Sequence, residues 1–110
     1  MTRTLVLHAI FAEMPLRLLG DRVSGVESVV CWRIGQPQQV WTVTVAGAAC
    51  TVHEGNSTVR PTVTLELETV PFLRMIAGQV GGMALMTTGR LRIKGSLTAA
   101  RKIEDWFARD

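Results

Sequence analysis

The sequence predicts an α+β fold in which five strands make a mostly antiparallel sheet, with helices before, between and after them. Three observations carry that expectation. Segments of alternating polarity occupy the middle of the chain, segments with three- and four-residue apolar spacing stand toward both ends, and glycine or proline clusters separate them. At 110 residues the chain reads as one domain over residues 1–110, with every element sharing a single core.

From Leu5 to Leu19 the residues Leu7, Ile10, Phe11 and Met14 form a helical stripe that Leu18 continues beyond Pro15, which predicts two short helices broken at the proline. Loop residues follow from Gly20 to Gly25. Ser28 to Ile34 is β-branched and aromatic, with Val30, Trp32 and Ile34 on one face, and makes the first strand. The cluster Gly35, Gln36, Pro37 and Gln38 turns the chain into a second strand, Val40 to Val45, where Trp41, Val43 and Val45 alternate with threonines. After Ala46 and Gly47, Cys50 and Val52 alternate with Thr51 and His53 in a third strand that closes a meander. The fourth strand has the cleanest pattern, with Val63, Leu65 and Leu67 on one side and Thr62, Thr64, Glu66 and Glu68 on the other.

Thr69, Val70 and Pro71 read as a helix start capped by the threonine, and Phe72, Leu73, Ile76 and Val80 continue the helix until Gly81 and Gly82 end it. Met83 to Thr88 adds a brief helical turn, and Gly89 releases the chain into a fifth strand, Arg90 to Lys94. A connection of about twenty residues containing a helix predicts a crossover with strands four and five parallel. Gly95 and Ser96 open a last helix, whose stripe of Leu97, Ala100, Ile103 and Phe107 is widened by Trp106.

Composition narrows the function. Apolar residues are 47% of the chain and charged residues 19%, a surplus that must fill a tight core, line a ligand cavity or form a self-association surface. The net charge of +3 comes from residues scattered between Arg3 and Arg109, without the basic run or aromatic interleaving of a nucleic-acid site. Arg90, Arg92 and Lys94 alternate as the solvated side of a strand. Cys31 and Cys50 fall on strands separated by a middle strand, about 9–10 Å apart, which is beyond disulfide reach, so both read as buried thiols in a reducing compartment. The apolar stretch Leu5 to Ala12 is interrupted by His8 and runs into Glu13 and Arg17, so it is neither a signal peptide nor a membrane span, and a cytoplasmic location follows.

His8 and His53 stand alone, neither cysteine has a metal-spaced neighbour, and no serine or cysteine nucleophile has a histidine partner. Glu66 and Glu68 share a wet strand face opposite Arg92 or Lys94 rather than forming a catalytic pair. Gly81-Gly82 lacks the lysine and spacing of a phosphate loop. The residues therefore predict no enzyme, no metal and no cofactor.

The segment from Thr62 to Lys94 reads Thr-Val-Thr-Leu-Glu-Leu, then a helix with Phe-Leu-x-x-Ile-x-Gly, then Met86-Thr87-Thr88-Gly89-Arg90-Leu91-Arg92-Ile93-Lys94-Gly95. This resembles the sterol carrier protein type 2 domain, whose Gly-Lys-Leu-Lys-Ile-x-Gly segment is similar to the last piece. The likeness is strongest from Val63 to Ile103 and weaker through the tryptophan-containing hairpins. It implies a sheet covered on one face by helices around an apolar tunnel that takes fatty acids, fatty acyl-CoA or sterol-like lipids unchanged. The chain stops at Asp110 without a peroxisomal targeting tripeptide, so a peroxisomal location is not implied.

The candidate ligand-binding residues are Phe72, Leu73, Ile76, Val80, Met83, Met86, Ile103, Trp106 and Phe107, on the helices expected to cover the sheet. Met14, Met75, Met83 and Met86 add unbranched, adaptable side chains suited to variable alkyl chains. The expected partner is a hydrophobic small molecule, without stable membrane insertion. The alternative is an accessory module that uses the same apolar helical face for homodimerisation or for docking to a partner enzyme.

Overall fold

In a computed structural model that describes residues 2–107, the elements run α1 (Thr2–Arg17), a 3₁₀ turn (Gly20–Arg22), β1 (Ser28–Ile34), β2 (Gln39–Ala46), β3 (Ala49–Glu54), β4 (Val63–Leu67), α2 (Thr69–Ile76), α3 (Gly82–Thr87), β5 (Leu91–Gly95) and α4 (Leu97–Trp106). Arg109 and Asp110, which entered the charge and targeting arguments, lie outside the described residues. The strands form one mixed sheet in the order β3-β2-β1-β4-β5, mostly antiparallel.

Strand alternation decides which side chains the helices cover. Register aligns Trp41, Trp32, Leu65 and Ile93 in one row across β2, β1, β4 and β5, with Val43, Val30 and Val63 in the next row on the same face. All but Ile93 are buried, and Ile93 is half-buried against them. On the outer face, residues 55–62 carry the chain from β3 past β2 and β1 to β4. Thr42 Oγ1 donates to the Gly55 carbonyl at 2.8 Å and Arg33 Nη2 to Asn56 Oδ1 at 2.9 Å, so this segment lies over the outward side chains. That placement explains why outward-facing Thr42 and Cys31 are buried.

Four aromatic side chains, Phe11, Trp32, Trp41 and Phe72, form a cluster joining α1, α2 and the sheet. Phe11 of α1 stacks on Trp41 (centroids 4.7 Å apart) and on Phe72 of α2 (5.6 Å), and Trp32 meets Phe72 edge to face at 5.3 Å. Each such pair contributes about 0.5–1.5 kcal/mol beyond its buried area. On the flank of α1, His8 Nε2 meets Glu54 Oε1 at 3.2 Å, which ties the helix to the edge strand β3.

Several sequence expectations are corrected. α1 is one helix that runs through Pro15. The proline sits in the last turn, where its missing N–H and its clash with the preceding turn disturb little helix, while Leu7, Phe11 and Met14 anchor the helix from the buried side. Leu18 lies beyond α1 and bridges Phe107, and Leu19 N–H donates to the Trp106 carbonyl at 2.7 Å. β4 and β5 are antiparallel, and the parallel pair is β1 with β4. Leu67 at the end of β4 faces Leu91 at the start of β5, so the chain leaves and rejoins the sheet at the same end; two helices with a bend between them permit this, whereas one crossover helix would not.

The cap of α2 is Glu68, without a side-chain bond, and Thr69 is the first helical residue. Thr69 is buried, and its Oγ1 packs so close to Gly35 that a Cβ there would approach it to 2.6 Å. Gly81 and Gly82 do not end α2. The helix stops at Ile76, and Gly78 takes a left-handed φ of 76° while its N–H bonds the Met75 carbonyl. Gly81 is instead the N-cap of α3, which leaves Val80 in the linker. The expectation for α4 agrees with the structure, since Ser96 Oγ caps it by accepting from Ala99 N–H at 3.1 Å. Neither cysteine is in a disulfide; Cys31 is buried and Cys50 half-buried.

Candidate ligand cavity

Beside the aromatic cluster, toward β4 and β5, the helices and sheet line a cavity of about 370 Å³ that opens to solvent. Its floor is Trp32, Leu65, Leu91 and Ile93, inward residues of three neighbouring strands. Ile10 and Met14 of α1 form one wall, Leu73, Met75 and Ile76 at the end of α2 another, and Leu97, Ala100, Ile103 and Phe107 along the last helix a third. Gly82 and Met83 close the side where α3 begins. Gly82 and Ala100 project little or no side chain into the space between these walls.

The rim is apolar and wet at once. Ile76, Met83 and Leu97 line the cavity yet are 40%, 42% and 41% exposed. Four charged residues share the wall: Glu13, Arg17, Arg101 and Glu104. Arg17 donates to Glu13 Oε2 from Nη2 at 3.2 Å and from Nε at 3.3 Å, one helical turn away. Glu104 accepts from the Gly82 amide at 3.3 and 3.4 Å, which tethers the start of α3 to α4. The wall thus sets four charged side chains beside mostly apolar ones, and among the described residues no serine, cysteine or histidine lines it.

Of the sequence-derived candidates, the structure places Leu73, Ile76, Met83, Ile103 and Phe107 on the cavity wall. Phe72 is in the aromatic cluster instead, fully buried, and Trp106 is buried away from the void. Val80 and Met86 are half-buried and off the wall. The floor and the α1 wall were missing from the candidate set, apart from the note on Met14. Strand alternation already aligned Trp32, Leu65, Leu91 and Ile93 inward, a signal that marks them as sheet interior without telling core from cavity floor.

A polar groove of about 410 Å³ lies where β1 and β4 end and β5 begins, lined by Gln36, Gln38, Glu66, Glu68, Arg90 and Arg92. Glu66 and Arg92 are cross-strand neighbours there, and Gln38 Nε2 donates to Glu66 Oε2 at 2.9 Å, as expected of a solvated strand face. The Cys50 thiol is pushed up to about 11 by burial. Among the described residues no group of three or more His, Cys, Asp or Glu could hold a metal ion, and no helix is long and apolar enough to cross a membrane.

The model of the SCP-2 sterol transfer family matches residues 9–108. No curated protein matches the sequence. Among solved structures, sterol carrier protein 2 from Yarrowia lipolytica in its apo form is similar at TM-score 0.67 and 18% identity, over 78% of this chain and 70% of that one. The UbiJ-SCP2 ubiquinone synthesis protein reaches TM-score 0.74 at 15% identity, over 94% and 88% of the two chains. The stereoselective inverting sec-alkylsulfatase Pisa1 from Pseudomonas sp. reaches 0.84 at 16% identity over 92% of this chain, which spans only 16% of the sulfatase. At such identities these likenesses speak to the fold.

Proposed function

The chain belongs to the SCP-2 sterol transfer family, and from that premise we propose that it is a non-catalytic, single-domain binder or carrier of a lipid-like molecule whose apolar tail occupies the cavity. The observation that carries this reading is the hollow itself. Its volume of about 370 Å³ falls within the roughly 300–1,000 Å³ of small-molecule sites, and its walls are mostly hydrophobic. Burying ten methylenes at about 0.8 kcal/mol each contributes about 8 kcal/mol, against at least about 4 kcal/mol for lost ligand freedom. The surplus of about 4 kcal/mol corresponds to affinity near millimolar from such a tail alone. A longer chain or a contact at the rim supplies the rest, and no bond in the ligand need change. The cytoplasmic location suggested by the sequence forms part of the proposal.

A second reading has its own support. Exposed Ile76, Met83 and Leu97 at the rim could pack against another chain, and the fold is shared with a ubiquinone synthesis protein and with one region of an alkylsulfatase. In that case the protein is an accessory module for a second copy or a partner enzyme. Native mass spectrometry of the purified protein, combined with displacement of the neutral dye Nile red by alkyl ligands, separates the two. A monomer that retains lipid and exchanges it supports the carrier. A dimer that retains none and binds no dye supports the accessory role.

A further inference from the structure

Building on the carrier reading, we infer that Arg101 selects ligands that end in an anionic group, held at the rim while the alkyl tail lies in the cavity. Of the four charged residues on the wall, three are engaged. Glu13 and Arg17 neutralise each other on α1. Glu104 lies three residues beyond Arg101 on α4, close enough to pair with it, but its carboxylate turns to the Gly82 amide. Arg101 lines the cavity, is exposed, and has no hydrogen bond or ion pair among the described residues.

A guanidinium stays charged at all working pH values and offers five donors in a planar fork that matches a carboxylate, sulfate or phosphate. Its neighbours on the wall, Leu97 and Ala100, are apolar, so an alkyl chain seated between them would bring its headgroup toward Arg101. A sterol hydroxyl or an alcohol would gain little from that position. The structure thus assigns a preference for single-chain anionic amphiphiles over neutral lipids of equal length.

The test compares displacement of Nile red by decanoate, decyl sulfate and decanol. The wild-type protein should bind at least one of the two anions about fivefold more tightly than decanol, the upper range for an exposed charge pair with good geometry. Comparison of the two anions distinguishes a carboxylate head from a sulfate head. Arg101→Gln should bring the anion-to-alcohol ratio close to one while decanol binding persists, and Arg101→Lys should restore part of it. Lys102→Gln, which removes the same charge one residue away and off the cavity wall, should leave the ratio intact. An unchanged ratio in Arg101→Gln, or equal binding of all three ligands by the wild type, overturns the role of Arg101 and leaves the carrier reading standing. Failure of decanol and both anions to displace the dye overturns the carrier reading itself, and this inference with it.

Discussion

Filling the cavity should separate ligand binding from folding, and Ala100→Phe is the substitution that does so. Ala100 lies on α4, half-buried, with its side chain on the cavity wall. A phenyl ring placed there can enter existing space. If about 100 Å² of the ring leaves water, burial contributes about 2.5 kcal/mol at 25 cal/mol per Å². Lower helix propensity costs about 0.5 kcal/mol and rotamer restriction about 1 kcal/mol. The net gain of about 1 kcal/mol should raise Tm by about 4–8 °C. The same ring should exclude about three methylenes of a bound tail, about 2.4 kcal/mol, so affinity should fall about fiftyfold. Nile red titration and a thermal melt on the same preparation give both quantities. A folded variant with raised Tm and undiminished dye and alkyl binding would refute the claim that ligands occupy this hollow.

The remaining predictions concern the frame around the cavity. Phe72→Ala should cost about 3–5 kcal/mol in urea unfolding, because the ring is fully buried between Phe11 and Trp32. Ser96→Ala should cost about 1 kcal/mol and lower Tm by about 4–8 °C, since Ser96 Oγ accepts the Ala99 amide at the start of α4. Cys50, whose thiol is raised from 9.0 to about 11, should be alkylated by iodoacetamide about a hundredfold more slowly at pH 8 than in the unfolded chain, because the thiolate is the nucleophile. The raised value also sets a direction for stability: the contribution is intact below pH 9 and declines as pH rises from about 9 to about 11, where the unfolded thiol ionises before the folded one.

What the sequence made legible divides along physical lines. All five strands could be placed because alternation is a local signal; β4 follows it residue by residue, while β1 and β2 depart from it at the covered outward residues Cys31 and Thr42. The pairing of β4 with β5 was not legible from the length of their connection. Length alone does not tell one crossover helix from two short helices with a bend at Gly78, and only the second returns the chain to the end it left. Thr69 illustrates a different limit. Its sequence context matches a helix cap, but the structure buries its hydroxyl against Gly35, a contact between residues far apart in the chain. The cavity wall was partly legible on α2, α3 and α4, where apolar helical stripes stand out. Its floor was not proposed, since an inward strand residue has the same alternating signal over a void as in solid core.

That ambiguity bears on how one sheet face can be both core and container. Over β1 and β2 the partners are aromatic, Phe11, Trp32, Trp41 and Phe72, whose rings stack or meet edge to face and leave the interior solid. Over β4 and β5 the facing side chains are slender or flexible, among them Met14, Met75, Ala100 and Ile93, and they line the void. Trp32 belongs to both regions, as ring partner of Phe72 and as cavity floor. The hollow half is held to the solid half by continuous strand pairing from β1 through β4 to β5, and by the Leu19 to Trp106 backbone bond that joins the two terminal helical segments. The same region is bounded by the segment from Gly78 to Gly82, where α2 has ended and α3 has just begun, secured to α4 through the Glu104 carboxylate. Ile76 and Met83, exposed on either side of that segment, leave this side of the cavity open to solvent, while ring contacts close the aromatic half of the core.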